Sequence, residues 1–159
     1  MQSGVLLAAA FAAVVFSSTP LLLPEIADHY ALSLGLTSFV ATAQLGGFVI
    51  GSWGAGRFLE PRRRVFTVSL IAVLITNAFS ALLPAYGLLV GLRAVSGLAL
   101  GVIVWFGWVL VFGNSSKTSE VAVVGPLVGV ASSPIIGFII GRFGAGGAFV
   151  TFAVLALIP

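Results

Sequence analysis

Cysteine is absent from the 159 residues, and charge is nearly so: seven Lys and Arg, four Asp and Glu, and a single His. Without cysteine there is no disulfide framework, no thiol chemistry and no thiolate metal site. Charged residues make up 7% of the chain, against about 25% in ordinary soluble domains. Hydrophobic residues make up 60%, and the mean hydropathy is +1.23. Such a surface is built for lipid. The formal charge of +3 does not point to nucleic acid, which needs a basic face on a soluble body.

What is present is a succession of apolar runs. A helix needs about 20 apolar residues to cross a bilayer. The runs cover roughly 4–23, 34–55, 65–83, 86–113, 120–141 and 147–159. They predict an all-α integral membrane protein with six transmembrane helices. Thirteen helical residues reach only about 20 Å, so the sixth run reads as a helix cut short at Pro159. The first 24 residues contain no Lys or Arg. The first run is therefore read as a span and not as a cleaved leader, which would start with positive charge.

Charge is concentrated where it orients the chain. Arg57, Arg62, Arg63 and Arg64 fall between the second and third runs, and Lys117 between the fourth and fifth. With the N-terminus inside, these five face the cytoplasm and only Arg142 faces out, as the positive-inside rule requires. Glu25, Asp28 and His29 are read as solvated residues of the first outer loop. The Asn114-Ser115-Ser116 sequon then lies on the cytoplasmic side, where it is silent.

Small residues recur at every fourth position. The fifth run holds Gly125, Gly129, Ser133, Gly137 and Gly141 with Pro126 and Pro134; the second holds Gly47, Gly51 and Ala55; the fourth holds Gly97 and Gly101. Such ridges let helix backbones approach closely. Arg93 is the one charge well inside a span, about 10 Å from its start, and an intramembrane charge marks a functional site by default. Trp105 and Trp108 are read as interface-belt residues.

No Ser/His/Asp set, paired carboxylates or metal cluster lies within the spans, so an intramembrane enzyme has no candidate chemistry. "GNSSKT" lacks the sequence of a phosphate loop, and "GRFGAGG" lacks the strand–helix context of dinucleotide binding. No cofactor is expected. A solute cavity needs uncharged polar groups inside spans, and Ser18, Thr19, Gln44 and Ser132 are the candidates, with Ser17 beside them. Asn77 is read as a packing hydrogen bond.

"GRFLEPRRRV" (56–65) resembles the loop signature of the major facilitator superfamily: Gly56 matches its glycine, Glu60 stands at its acid, and Arg63 and Arg64 match its basic end. "RAVSGLALG" (93–101) is similar to that family's helix-4 signature. "GVASSPIIGF" (129–138) is similar to its helix-5 pattern, with Pro134 and Gly137 retained, and "LLPEIA" (22–27) looks like its exit from helix 1. The resemblance implies the N-terminal six-helix half of a secondary transporter, built as a 3+3 inverted repeat. It implies a small-molecule substrate moved by alternating access, and a C-terminal half or a second copy as partner. Glu60 would be the acid of a cytoplasmic latch, supported by Arg63 or Arg64, with Gly56 allowing close packing. A half-size homodimeric transporter and a non-transporting membrane scaffold subunit are the alternatives.

Overall fold

The computed structural model describes residues 2–159. Five helices carry the chain: α1 (Gln2–Tyr30), α2 (Leu34–Phe58), α3 (Arg63–Ala81), α4 (Tyr86–Val111) and α5 (Ser115–Leu155). No strand occurs among the described residues. All five are long and apolar enough to cross a membrane, the make-up of a multi-pass membrane protein. Their outward side chains, such as Ile50, Val68, Val130 and Phe138, are exposed and apolar.

The sixth expected run is not a separate helix; it is the last part of α5. Within α5 the backbone breaks at Gly144, with φ 67° and ψ −172°, a region of conformational space reserved for glycine. The break divides α5 into a long arm, 115–143, and a short arm, 145–155. Neighbours fix their directions. A methyl group built on Gly129 would lie 3.2 Å from the carbonyl oxygen of Ala13, and one on Gly144 would lie 3.1 Å from Glu25 Oε1. One on Gly4 would meet the carbonyl of Pro159 at 3.3 Å. The long arm therefore runs alongside α1 in the same direction, and the chain then doubles back along it.

The expected end of the first helix also shifts. The "LLPEIA" segment does not leave the helix: α1 continues through Pro24 to Tyr30, so Glu25, Asp28 and His29 lie on its last turns. Proline inside a membrane helix is tolerated where neighbours satisfy the freed backbone. The extra turns are held by Tyr30, whose hydroxyl donates to the Pro84 carbonyl and whose ring meets Tyr86 edge-on at 5.5 Å. Ala31, at φ 52°, then closes α1 in the left-handed conformation, with the Leu32 amide donating back to the Ala27 carbonyl. This is a Schellman cap made without glycine. Ser33 caps α2 by accepting from the Leu36 amide at 3.3 Å.

The closest packing is between α2 and α4. A methyl group on Gly47, Gly51, Gly97 or Gly101 would fall inside the carbonyls of Ala94, Leu98, Gln44 and Phe48 respectively, closer than 3.0 Å. The numbers rise together on both helices, so the pair is parallel and its backbones touch. The glycine Cα–H bonds point at those carbonyls, at about 0.5–1 kcal/mol per contact. Four such contacts offset most of the roughly 1 kcal/mol that each helical glycine costs relative to alanine. Ser52 Oγ adds a bond to the Gly101 carbonyl at 3.2 Å. The α1–α5 seam repeats the theme more loosely: Gly125 and Gly129 face Ala9 and Ala13, and Ser17 Oγ donates to the Gly129 carbonyl at 3.0 Å.

Candidate functional site

Two features stand out inside the bundle: a buried guanidinium, and a pair of adjoining cavities. Arg93 is 1% exposed. Its Nη1 donates to Asn77 Oδ1 at 3.0 Å, and its Nη2 to Ser80 Oγ at 2.8 Å and to the Thr76 carbonyl at 3.3 Å. The Phe149 ring lies against it, 4.6 Å from centroid to guanidinium carbon, within cation–π range. Its Nε has no partner among the described residues. All the partners are neutral. Arg93 is turned into the bundle, where it ties α4 to α3 and to the short arm of α5.

Asn77 makes the packing hydrogen bond expected of it, and its partner across the helices is the arginine. Its Nδ2 donates to the Val73 carbonyl at 2.8 Å, which turns Oδ1 toward the arginine. The signal was present in the sequence: Thr76, Asn77 and Ser80 are the polar residues in the C-terminal third of α3, at the spacing that shares one helix face.

The larger cavity, about 260 Å³, lies between α1, α4 and the start of α5, against Ala9, Phe16, Phe48, Gly107, Trp108 and Gly125. It lies toward the end of the bundle that bears the Arg cluster. Trp108, read as an interface residue, lines it. Trp105 instead sits beside α2, its indole 3.4 Å from where a methyl on Gly56 would be. Gly56 thus meets a side chain at ordinary contact and no opposing backbone.

The smaller cleft, about 100 Å³, lies between α1 and α2, lined by Phe16, Thr19, Pro20, Ala41, Gln44 and Leu45. Of the four expected cavity residues, the structure brings Thr19 and Gln44 together here. Ser18 is buried elsewhere with its hydroxyl on the Val14 carbonyl at 2.6 Å. Ser132 lies on the long arm of α5, donating to the Gly129 carbonyl at 3.0 Å. That same carbonyl also receives Ser17 and Ser133.

At the Arg-cluster end, Glu60 is exposed and paired with Arg62, while Arg63 and Arg64, the expected supports of the latch, stand apart from it. Arg62 Nε donates to Glu60 Oε2 at 2.8 Å. The cause is Pro61: the Arg62 amide bonds the Glu60 carbonyl at 2.7 Å across it, a γ-turn suited to the fixed φ of proline. Residues 60 and 62 are thereby held together, while Arg63 and Arg64 are exposed on the first turn of α3. Positive charge at a helix N-terminus opposes the helix dipole, so the cluster is not there to stabilise α3. Gly97 is buried in the α2–α4 seam; Pro134, Gly137 and Gly141 are exposed, with open space beside both glycines.

No group of acidic, His or Cys side chains capable of holding a metal occurs among the described residues. Comparison with protein-family models, with curated proteins and with solved structures finds no match to this chain.

Proposed function

We propose that the chain is the N-terminal six-helix half of a secondary transporter of the major-facilitator type. It sits in a bacterial inner membrane with its N-terminus in the cytoplasm and moves a small solute by alternating access. It works against a C-terminal half or a second copy.

The observation that carries this reading is the pattern of helix pairing. α1 packs chiefly on α5, and α2 on α4. A three-helix unit repeated with inverted topology exchanges helix 1 with 4 and 2 with 5, and so exchanges those two seams with each other. Both seams are parallel, both are built on glycines, and both carry a serine bonded to a glycine carbonyl across the seam. The two arms of α5 supply the second and third members of the second unit. Inverted repeats of three within a six-helix half, with a site near mid-membrane, are the architecture of such transporters. The Glu60–Arg62 pair at the loop between α2 and α3 supports the latch: an exposed pair of this kind is worth at most about 1 kcal/mol and opens readily.

The test uses the absence of cysteine from these 159 residues, with any cysteine in the rest of the complete protein replaced by serine. Thr19→Cys and Ser132→Cys, introduced one at a time into the complete protein in sealed vesicles, are treated with a membrane-impermeant maleimide from each side. Alternating access requires each position to react from both sides, with the proportions shifting together when Glu60 is changed to Gln. Reaction from one side only, unaltered by Glu60→Gln, would favour a static scaffold.

A further inference from the structure

We propose that Gln44 and Thr19 form the recognition point for a neutral, largely apolar solute carrying one hydrogen-bond acceptor, reached through the larger cavity past Phe16 and Phe48. The proposal rests on the transport reading and names the substrate class of that same pathway.

The Gln44 amide nitrogen is buried, the residue being 1% exposed, and has no acceptor among the described residues. An unpaired buried donor is costly where no water competes, and membrane proteins ordinarily bond such amides to a neighbouring helix. Here Gln44 instead lines the cleft, with its amide nitrogen covered. Gln44 stands ten residues into the 25-residue α2, about 15 Å along it, at mid-membrane depth. The Thr19 hydroxyl has its proton committed to the Val15 carbonyl at 2.9 Å and offers lone pairs only. One unpartnered donor thus lies behind the cleft wall, covered in this conformation and brought to the cleft by rotation of the Gln44 amide among Phe16, Pro20, Ala41 and Leu45.

Charge is excluded by the same inventory. No charged side chain lines either cavity, and the intramembrane arginine is committed to α3 and Phe149. An ionised solute would meet no counter-charge there. Phe16 belongs to both cavities, and Phe48, lining the larger one, meets it edge-to-face at 5.0 Å. The two rings form the partition between the larger space and the amide. A lipid acyl chain would suit the apolar walls but would leave the donor unpaired, so the two sources of an apolar occupant can be told apart.

Benzophenone is a suitable probe: neutral, apolar, with one carbonyl, and able to insert into C–H bonds under light. The complete protein in nanodiscs of phosphatidylethanolamine and phosphatidylglycerol is photolabelled and the adducts are mapped by mass spectrometry. Adducts are expected at 16–20 and 41–48. Fluorenone should suppress them roughly fivefold more effectively than fluorene, which has the same shape without the carbonyl. Gln44→Leu should erase that difference without lowering the melting temperature. Phe16→Ala, which removes half of the partition, should raise labelling of 41–48. Adducts confined to lipid-facing Val130 and Phe138, equal suppression by both competitors, or a carbonyl preference that survives Gln44→Leu would overturn the proposal. Efficient cleft labelling by 4-benzoylbenzoate, which carries a carboxylate, would overturn the neutral class while leaving the transport reading intact. Failure of the transport reading is read separately, from the cysteine accessibility of Thr19→Cys.

Discussion

Replacing Arg93 by methionine and by lysine separates two explanations of a buried charge, and the structure predicts the less obvious order. An arginine costs about 3 kcal/mol at the centre of a membrane helix by insertion scales, an upper bound for Arg93, the eighth residue of α4. Against this stand three hydrogen bonds, each worth about 0.6 kcal/mol between membrane helices. The Phe149 contact adds about 2 kcal/mol when desolvated. The sum is close to zero. Methionine gives up all of these contacts and also the charge. Its main remaining cost is the Asn77 Oδ1 acceptor left buried without a donor, about 1 kcal/mol. Ser80 stays satisfied because its hydroxyl donates to the Thr76 carbonyl at 2.7 Å.

Lysine keeps the charge and its transfer cost. As a point donor it cannot span both α3 acceptors, and it stacks less well on the ring. Arg93→Lys should therefore cost about 2–3 kcal/mol and Arg93→Met about 1 kcal/mol. At roughly 2–4 °C per kcal/mol for a chain of this size, the two are separable by a thermal-shift assay in detergent or nanodiscs. Adding Asn77→Leu to Arg93→Met removes the orphaned acceptor and should recover most of the loss, so the pair should be non-additive. A lysine variant as stable as the wild type, or a double variant worse than the sum of its parts, would refute the reasoning.

Other outcomes follow from the packing. Gly97→Ala drives a methyl into the Gln44 carbonyl and should cost about 3 kcal/mol or abolish the folded state. Gly137→Ala, with open space around it, should be neutral or stabilising by up to about 1 kcal/mol. Loss of function in a fully folded Gly137→Ala protein would mean that this face of α5 meets a partner. Gln44→Leu should raise the melting point slightly, since it removes an unpaired buried donor; a fall of several degrees would show that the amide has a partner. Ala31→Gly relieves a left-handed alanine at φ 52° and should stabilise by about 1 kcal/mol, measured by the same thermal shift.

Hydropathy alone located the helices because lipid forces every spanning backbone into one solution, and the glycine spacing marked the close-packing faces of α2 and α4 without saying that they meet each other. Two boundaries were not legible. The exit from α1 was placed before Pro24, a local rule that loses to Tyr30 packing on Pro84 and Tyr86. The separation of the last two runs was placed at 141–147, where the backbone departs from helix at one glycine only. The Glu60–Arg62 pair was not read from the sequence because the γ-turn at Pro61 selects Arg62, and nothing in the order of the arginines announces it. Arg93 was legible as a buried charge, but its ligands lie on α3, and pairing across helices is not written in either helix by itself. Two of the five positions of the α5 ridge, Gly137 and Gly141, have no neighbour among the described residues, so their spacing described a surface and not a contact.

The α2–α4 seam has a mechanical consequence. Backbone lying on backbone has no rotamers to adjust, so this pair is a stiff strut that carries a displacement from one end to the other without loss. The neighbouring seam, where small side chains of α1 and α5 border a 260 Å³ void, can be compressed and refilled. Any large motion within the chain is therefore confined to one side of the strut, the side that holds both cavities.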